Sequence, residues 1–474
     1  MRNQSPSQPL SHPPTQPTPV SDLLSFTMPD RRPLHHQRMK LFGRRTRHNH
    51  FPRFPYLDKL KRYYKWFLWL ALSLYFFLSS TSNTPVLFSN PLPLKQTTLP
   101  QKTTTRALTE SLQFSTSSSS PVKIYIYELP SRFNKDWLSN PRCSTHLFAA
   151  EVAIHEALLT YRGRVIDPNE ADFFFVPVYV SCNFSTTNGF PSLGHAKPLI
   201  KEAINLISSK FPFWNRSRGR DHIFVASHDF GACFHPMEEV AIADGIPEFL
   251  KETMLLQTFG VKRKHVCQEA EHVVIPPYVV PEVSKEQPDP AAARRDIFAF
   301  FRGKMEVHPK NISGRFYSKK VRTKILKQYG NNPKFYLKRK RLDGYRSEIA
   351  RSVFCLCPLG WAPWSPRLVE SVELGCIPVI IADGIRLPFQ STMKWDEISL
   401  TVAEREVDKL ESVLDLVVKT NLTVIQHNLW DPVKRRALLF NNRMLEGDAT
   451  WHVIQELAGK IDRSWKRQVT GTWR

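Results

Sequence analysis

The 474-residue chain is short of acid: 43 Asp and Glu stand against 66 Lys and Arg, a formal net charge of +23. Such a balance commonly marks a nucleic-acid partner. Yet the chain has no zinc-finger spacing, no RNP-like aromatic motif and no basic-region heptads. It also lacks any C-x-x-C pair, which excludes a zinc ribbon or a thioredoxin-type centre. The charge is unevenly spread. The first 65 residues carry 13 Lys and Arg against 3 acids, and the remaining 409 carry 53 against 40. The bulk of the chain is thus mildly basic, which suits acidic ligands and argues against nucleic acid.

Long apolar runs are also scarce, which gives weight to Trp66 to Leu78 (WFLWLALSLYFFL). Sixty-five residues precede it, too many for a cleaved secretory signal. Lys59, Lys61, Arg62 and Lys65 lie just upstream, so the positive-inside bias keeps the N-terminus cytosolic. The competing readings are a buried core helix or an organelle-targeting presequence. Against them, the segment is apolar on all sides, and four N-x-S/T sequons follow, at Asn183, Asn215, Asn311 and Asn421. The expectation is a single transmembrane signal-anchor over 66–82, with a disordered basic tail over 1–65. Residues 79–121 hold 24 Ser, Thr or Pro in 43 positions, a composition that cannot bury enough apolar surface to fold. A flexible stem is expected over 83–121, with the large domain in the lumen.

All seven cysteines follow the apolar segment, so an oxidising lumen allows three pairs and leaves one thiol over. From Val122 short apolar runs alternate with helical periodicity. Strands are expected at 122–127, 173–180 and 222–227, with helices over 146–160 and 198–210 between them. The polar, Pro-bearing stretch 282–293 reads as a linker. Strands then recur at 296–301, 353–357 and 377–382, and helices at 319–329, 345–351 and 366–374. A helix-rich stretch runs from 402 to about 465. Such alternation implies an α/β protein with two doubly wound Rossmann-like domains, over 122–285 and 294–440, and a helical tail over 441–474. A ligand would bind in the cleft, at the carboxyl ends of both sheets.

The densest cluster of chemistry runs from Cys357 to Gly384 (CPLGWAPWSPRLVESVELGCIPVIIADG). Ser365 and Pro366 form a helix start, and Gly375 a stop. Arg367 then falls in the first turn beside free backbone N–H groups, an arrangement suited to a diphosphate. Glu370 lies one turn on, placed to accept from ribose hydroxyls, and Glu373 shares its face. A plain surface salt bridge between Arg367 and Glu370 is the simpler alternative.

This segment resembles the sugar-nucleotide signature of the exostosin-like glycosyltransferases, family 47. The stretches VKIYIYELP at 122, PRCSTHLFAAE at 141, NEADFFFVPVY at 169, RDHIFVASHDFGACFH at 220, FFRGK at 300 and RSEIARSVFCLCPLGW at 346 agree with it. HVVIPPYVVPE at 272 and GKMEVHPKNISGRFYSKKVRT at 303 are similar to the plant fragile-fiber and irregular-xylem members of glucuronoxylan synthesis. The resemblance implies a GT-B fold and a Golgi type II membrane enzyme with a UDP-sugar donor and a xylan-type acceptor. It also implies possible company with other xylan-synthesis transferases, and action at the xylan reducing-end sequence.

No Asp-x-Asp occurs, the motif that holds a divalent ion in metal-dependent transferases of the other common fold. No metal or other cofactor is therefore expected. An inverting, metal-independent displacement needs cations at the leaving diphosphate, and Arg302 and Arg367 are the candidates; on the simpler alternative Arg302, like Lys304, is a plain surface residue. It also needs a base. His228 and Asp229 end the strand HIFVAS: either can serve, or Asp229 orients a neutral His228, or Asp229 merely caps the turn at Gly231. Glu238 and His235 are weaker candidates. Trp361 and Trp364 flank the donor helix and can stack on a sugar or base, or fill core. The functional alternative is a non-catalytic glycan-binding or scaffolding subunit of a xylan synthase complex.

Overall fold

The computed structural model describes residues 121–182, 194–281, 289–305, 317–339 and 343–471. The expected anchor, tail and stem, the sequons at Asn183 and Asn311, and most of the linker lie outside the described residues. Among the described residues no helix is long and apolar enough to cross a membrane.

Two wholly parallel sheets organise the chain. The first has strands β1 (Ile124–Ile126), β2 (Arg164–Val165), β3 (Phe173–Phe175), β4 (His222–Ala226), β5 (Met254–Gln257) and β6 (Glu271–Val274), in the order β2-β1-β3-β4-β5-β6. The second has β7 (Ile297–Arg302), β8 (Phe335–Lys338), β9 (Ser352–Pro358), β10 (Ile377–Ile381) and β11 (Leu400–Thr401), in the order β11-β10-β9-β7-β8. The helices that matter below are α1 (Ala150–Leu159), α2 (Ala196–Lys210), α3 (Val321–Tyr329), α4 (Tyr345–Ala350), α5 (Pro366–Glu373), α6 (Leu410–Thr420), α7 (Leu422–Leu429), α8 (Ala449–Ala458) and α9 (Trp465–Gly471).

Strands covered on both faces read as unbroken apolar runs. Phe173–Phe175, His222–Ala226 and Ile377–Ile381 are buried at every position. The expected strand over 173–180 stops at Phe175, because Pro177 has no N–H to offer a ladder. The two-residue strands β2 and β11, and the edge strands β6 and β8, have runs too short to stand out in sequence. The stretch 402–409 is not α-helical; a 3-10 turn at Glu404–Lys409 leads into α6.

Both sheets share one winding. After the first βα step the chain returns past its starting strand, so the order reverses between β1 and β3 in one sheet and between β7 and β9 in the other. Ligands of open α/β sheets bind at the carboxyl ends of strands flanking such a reversal.

The lobes are joined by packing as well as by chain. One apolar cluster contains Ile124, Phe173 and Val225 of the first sheet, Ala299, Phe354 and Val379 of the second, and Val453 and Leu457 of α8. A β-bridge pairs Val261 with Ile385, and Arg386 N donates to the Gly260 carbonyl at 2.8 Å. The C-terminal helices cross back beneath the first sheet. There Lys460 pairs with Glu271 at 2.7 Å, Arg467 with Asp172 at 3.0 Å, and Arg463 Nε donates to the Arg220 carbonyl at 3.2 Å.

Three disulfides, Cys143–Cys182, Cys233–Cys267 and Cys355–Cys376, each close within one lobe, and Cys357 remains a buried thiol.

Candidate active site

A cavity of about 1080 Å³ opens where β7 and β9 diverge. Among the described residues six cationic side chains line it, Arg302, Lys304, Arg322, Lys338, Arg339 and Arg367, against the acids Asp343 and Glu348. The start of α5 forms one wall through Ser365 and Pro366, and Leu147 contributes from the other lobe. Ser365 caps α5 by accepting from Arg367 N at 3.3 Å, and Pro366 takes the first helical position, where its missing N–H costs nothing. Gly375 ends the turn after α5 at φ +70°, where an added Cβ would lie 2.4 Å from Pro290 Cγ.

The cations are held in different ways. Arg367 is 2 % exposed, and its guanidinium faces inward. It donates to the Leu356 carbonyl at 3.3 Å and to the Arg302 carbonyl, and lies 4.4 Å from the Phe301 ring centroid. Arg322 is tied similarly, to the carbonyls of Leu359 at 2.8 Å and Pro358 at 3.0 Å and to Tyr317 Oη at 2.7 Å. These two arginines fasten the carboxyl ends of β7 and β9 and put buried positive charge under the cavity floor. Arg302 pairs with Glu348 at 2.5 Å, and Tyr336 Oη donates to the same carboxylate at 2.7 Å. Lys304, Lys338 and Arg339 are exposed at the rim. Arg322, Lys338 and Arg339 were not anticipated. The run KRKR that starts at Lys338, the last residue of β8, is a signal for the latter two, whereas the spacing around Arg322 carries none.

Glu370 and Glu373 are buried and do not line the cavity. Glu370 accepts from Tyr345 Oη at 2.8 Å, and Glu373 lies 2.8 Å from Arg346 Nη2, so both are turned toward α4. The surface salt bridge considered for Arg367 and Glu370 is overturned, since both side chains are buried. Trp364 Nε1 donates to the Asp229 carbonyl at 3.1 Å, and its ring meets Phe148 edge-on, so it joins the lobes instead of offering an open face. Trp361 packs edge-on to Tyr317 at 5.3 Å with Lys304 5.6 Å from its ring centroid, beside the cavity.

His228 and Asp229 follow β4 at the carboxyl edge of the first sheet. They touch the cavity wall indirectly. The His228 ring lies 5.0 Å from that of Phe148, next in chain to the lining Leu147, and Trp364 precedes the lining Ser365. His228 is wholly buried, and neither ring nitrogen has a hydrogen-bond partner among the described residues. Burial pushes its pKa down to about 3, helped by the nearby His235 and His146, so the ring is neutral. Burial pushes the Asp229 carboxyl up to about 7. His228 Nε2 and Asp229 Oδ2 are 3.9 Å apart, beyond hydrogen-bond reach, so the base-plus-orienter pair is not formed. Nor does Asp229 cap the turn, because Gly231 N donates to the His228 carbonyl and the short helix Gly231–Cys233 has no side-chain cap. The weaker candidates sit elsewhere. His235 accepts from Met237 N, and Glu238 pairs with Arg263.

Glu151, at the start of α1, accepts from Val180 N at 3.1 Å and Ser181 N at 2.8 Å. Burial outweighs those bonds and raises its carboxyl to about 8. It holds the loop after β3 at the same carboxyl edge. The stretch LFAAE around it stands out in sequence, but its anchoring role depends on the loop after β3, which no local pattern shows.

A cation-lined cavity at the strand-order reversal of the second sheet, with a helix N-terminus in its wall and Leu147 of the first lobe at its side, defines a class of protein built to hold an anionic, nucleotide-like ligand. Residues 118–417 match the Exostosin GT47 domain, and the chain belongs to that family. A rice protein (Oryza sativa subsp. japonica) named as a probable glucuronosyltransferase is 71 % identical over 357 residues, covering 75 % of this chain and 84 % of its own. The Arabidopsis thaliana protein IRX7, named as a probable glucuronoxylan glucuronosyltransferase, is 59 % identical over 86 % of this chain and 96 % of its own. The fold is also similar to the crystal structure of Anabaena HepE in complex with UDP, at 10 % identity and a TM-score of 0.36 over 72 % of this chain and 99 % of that one.

Proposed function

We propose that the chain is a UDP-sugar-dependent glycosyltransferase of GT-B architecture that adds a sugar, glucuronosyl or another UDP-sugar unit, during glucuronoxylan synthesis for the secondary wall. The observation that carries this is the cavity at the β7–β9 reversal, with six lining cations and the start of α5 in its wall. Relatives named for xylan work add to it, including the probable β-1,4-xylosyltransferase IRX10 of Arabidopsis thaliana, 42 % identical over 72 % of this chain.

In this reaction the acceptor hydroxyl oxygen attacks the anomeric carbon of the donor, and the bond from that carbon to the diphosphate oxygen breaks. The proton passes from the hydroxyl to a base, a role we assign to Asp229, which sits behind the cavity wall and whose raised pKa near 7 suits neutral pH. The electron pair leaves with UDP, whose growing charge meets Lys304, Lys338, Arg339 and the N-terminus of α5. Positive charge for the leaving group thus comes from the chain itself, in keeping with an inverting, metal-independent reaction. Tyr317 and Trp361 lie where a base or sugar ring would stack.

The three disulfides and the exposed sequons at Asn215 and Asn421 support a lumenal domain on a Golgi-type single-span anchor. The test is turnover by the full-length chain with a panel of UDP-sugars and xylo-oligosaccharide acceptors. A folded protein inert to every pair would sink the proposal. The second reading, a non-catalytic subunit, draws on Arg302 and Arg367 being already committed to protein partners. It predicts that UDP binds weakly and that Asp229→Asn leaves biological function intact.

A further inference from the structure

A second cavity, of about 810 Å³, lies on the seam between the lobes. Its walls are the loop after β5, residues 261–269, and the loop after β10 around Arg386 and Gln390. These are the two loops that the Val261–Ile385 bridge and the bonds from Lys262 N to the Gly384 carbonyl and Arg386 N to the Gly260 carbonyl hold together. The Cys233–Cys267 disulfide and the Gln268 side chain, which accepts from Val261 N at 2.5 Å, stiffen the first loop from within. The cavity is therefore a framed site and not a gap between independent loops.

Its chemistry is one-sided. Lys262, Arg263, Lys264 and Arg386 line it and are exposed, against one lining acid, Glu269. Arg263 spends its charge on Glu238, and among the described residues Arg386 meets the neutral-leaning His272, whose pKa burial lowers. The uncompensated charge thus sits on Lys262, Lys264 and Arg386. Among the described residues no Phe, Tyr or Trp lines the cavity, so they offer none of the ring platforms on which neutral pyranoses stack, and recognition falls to charge and to the amides of Gln268 and Gln390.

We propose that this seam cavity binds a carboxylate-bearing glycan, a uronic-acid-substituted stretch of the acceptor chain. The inference rests on the transferase reading for the identity of the chain bound. The cavity is distinct from the donor site, with which it shares no lining residue. Because loops of both lobes form it, an acidic chain seated there would also draw the lobes together.

The experiment compares binding of a glucuronic-acid-substituted xylo-oligosaccharide with its unsubstituted counterpart, using the full-length chain and the Lys262→Glu/Lys264→Glu variant, with UDP binding measured alongside. The proposal expects the acidic ligand to bind more tightly, with an affinity that weakens as salt rises. It expects the variant to lose about 10-fold or more in that affinity, the sum of two surface charge pairs reversed in sign, while UDP binding is kept. Retained UDP binding and an unchanged thermal midpoint show that the variant is folded. Equal binding of acidic and neutral oligosaccharides, or a variant with unchanged affinity, overturns it. So does equal affinity for a single-stranded oligonucleotide of the same charge. If the chain binds the acidic oligosaccharide selectively yet turns over no UDP-sugar, the transferase reading fails and this one stands.

Discussion

The two sheets repeat one winding but furnish their carboxyl edges in opposite ways. The first edge carries ionisable groups whose charged forms burial disfavours: Glu151 raised to about 8, Asp229 raised to about 7 and His228 lowered to about 3. The second edge carries permanent charge, with four arginines and two lysines around one cavity. Desolvation is thus tolerated in one lobe by shedding charge, and in the other by satisfying guanidinium groups with strand-end carbonyls. A displacement needs both, a group able to change its protonation near neutral pH and charges that do not change at all. On the proposed mechanism, the same topology supplies each from a different lobe.

The sharpest way to break this comparison is Asp229→Asn. If the first edge supplies the base, kcat falls by about 10²–10⁴-fold while UDP affinity holds, as measured by steady-state turnover and calorimetry. An unchanged kcat would remove the first lobe from the chemistry. Next in size is the Cys355–Cys376 link beneath the second edge. Replacing both cysteines by Ala should cost about 3 kcal/mol by denaturant unfolding, given a sequence separation of 21. Smaller again is charge reversal at the rim. Lys338→Glu/Arg339→Glu should raise the donor KM about 10-fold and leave kcat within about 3-fold, since on the proposed mechanism these rim cations face the donor and not the acceptor proton.

A subtler contrast is pH. Asp229 must be deprotonated to act, so kcat/KM should climb with pH and level off above about 7. Stability should run the other way. Asp229 and Glu151 hold protons in the folded state that the unfolded chain has released, so the stability they contribute is lost as pH rises toward about 8. His228 works oppositely but only between about pH 3 and its unfolded value of 6.5. Between pH 6.5 and 8, therefore, the thermal midpoint should decline, and Asp229→Asn should flatten that decline. The smallest effect expected is from Cys357→Ser, a swap of similar size beside Ser371 Oγ, which should shift stability by no more than about 1–2 kcal/mol.

How far the sequence foretold these features depended on range. Local signals survived: the Ser365–Pro366 start of α5, the Gly375 stop, and the strands around Phe174, Phe224 and Val379 can all be read from a few neighbours. Three cysteine pairs and one spare thiol followed from counting, but their partners did not, because pairing depends on which loops the sheets bring together. The cations were legible as types and not as roles. Arg367 sits where its helix position says, yet its guanidinium turns to the Leu356 and Arg302 carbonyls, which only the divergence of β7 and β9 brings within reach. Glu370 is expected at the ribose from its helix position, yet it lies outside the cavity lining, and Tyr345, 25 residues earlier, claims it. Asp229 and His228 were rightly put at a strand end. Their distance of 3.9 Å and their opposite pKa shifts arise from packing by Phe148 and Trp364, which no short motif encodes.

The returning C-terminal helices have a consequence for how the molecule comes apart. Lys460, Arg463 and Arg467 grip the amino-terminal edge of the first sheet at Glu271, Arg220 and Asp172, although the chain reaches them only after completing the second sheet. The lobes are therefore laced twice, once by the forward linker and once by this return. A protease that severed the linker would yield two fragments that stay together on a gel-filtration column and separate only under denaturing conditions.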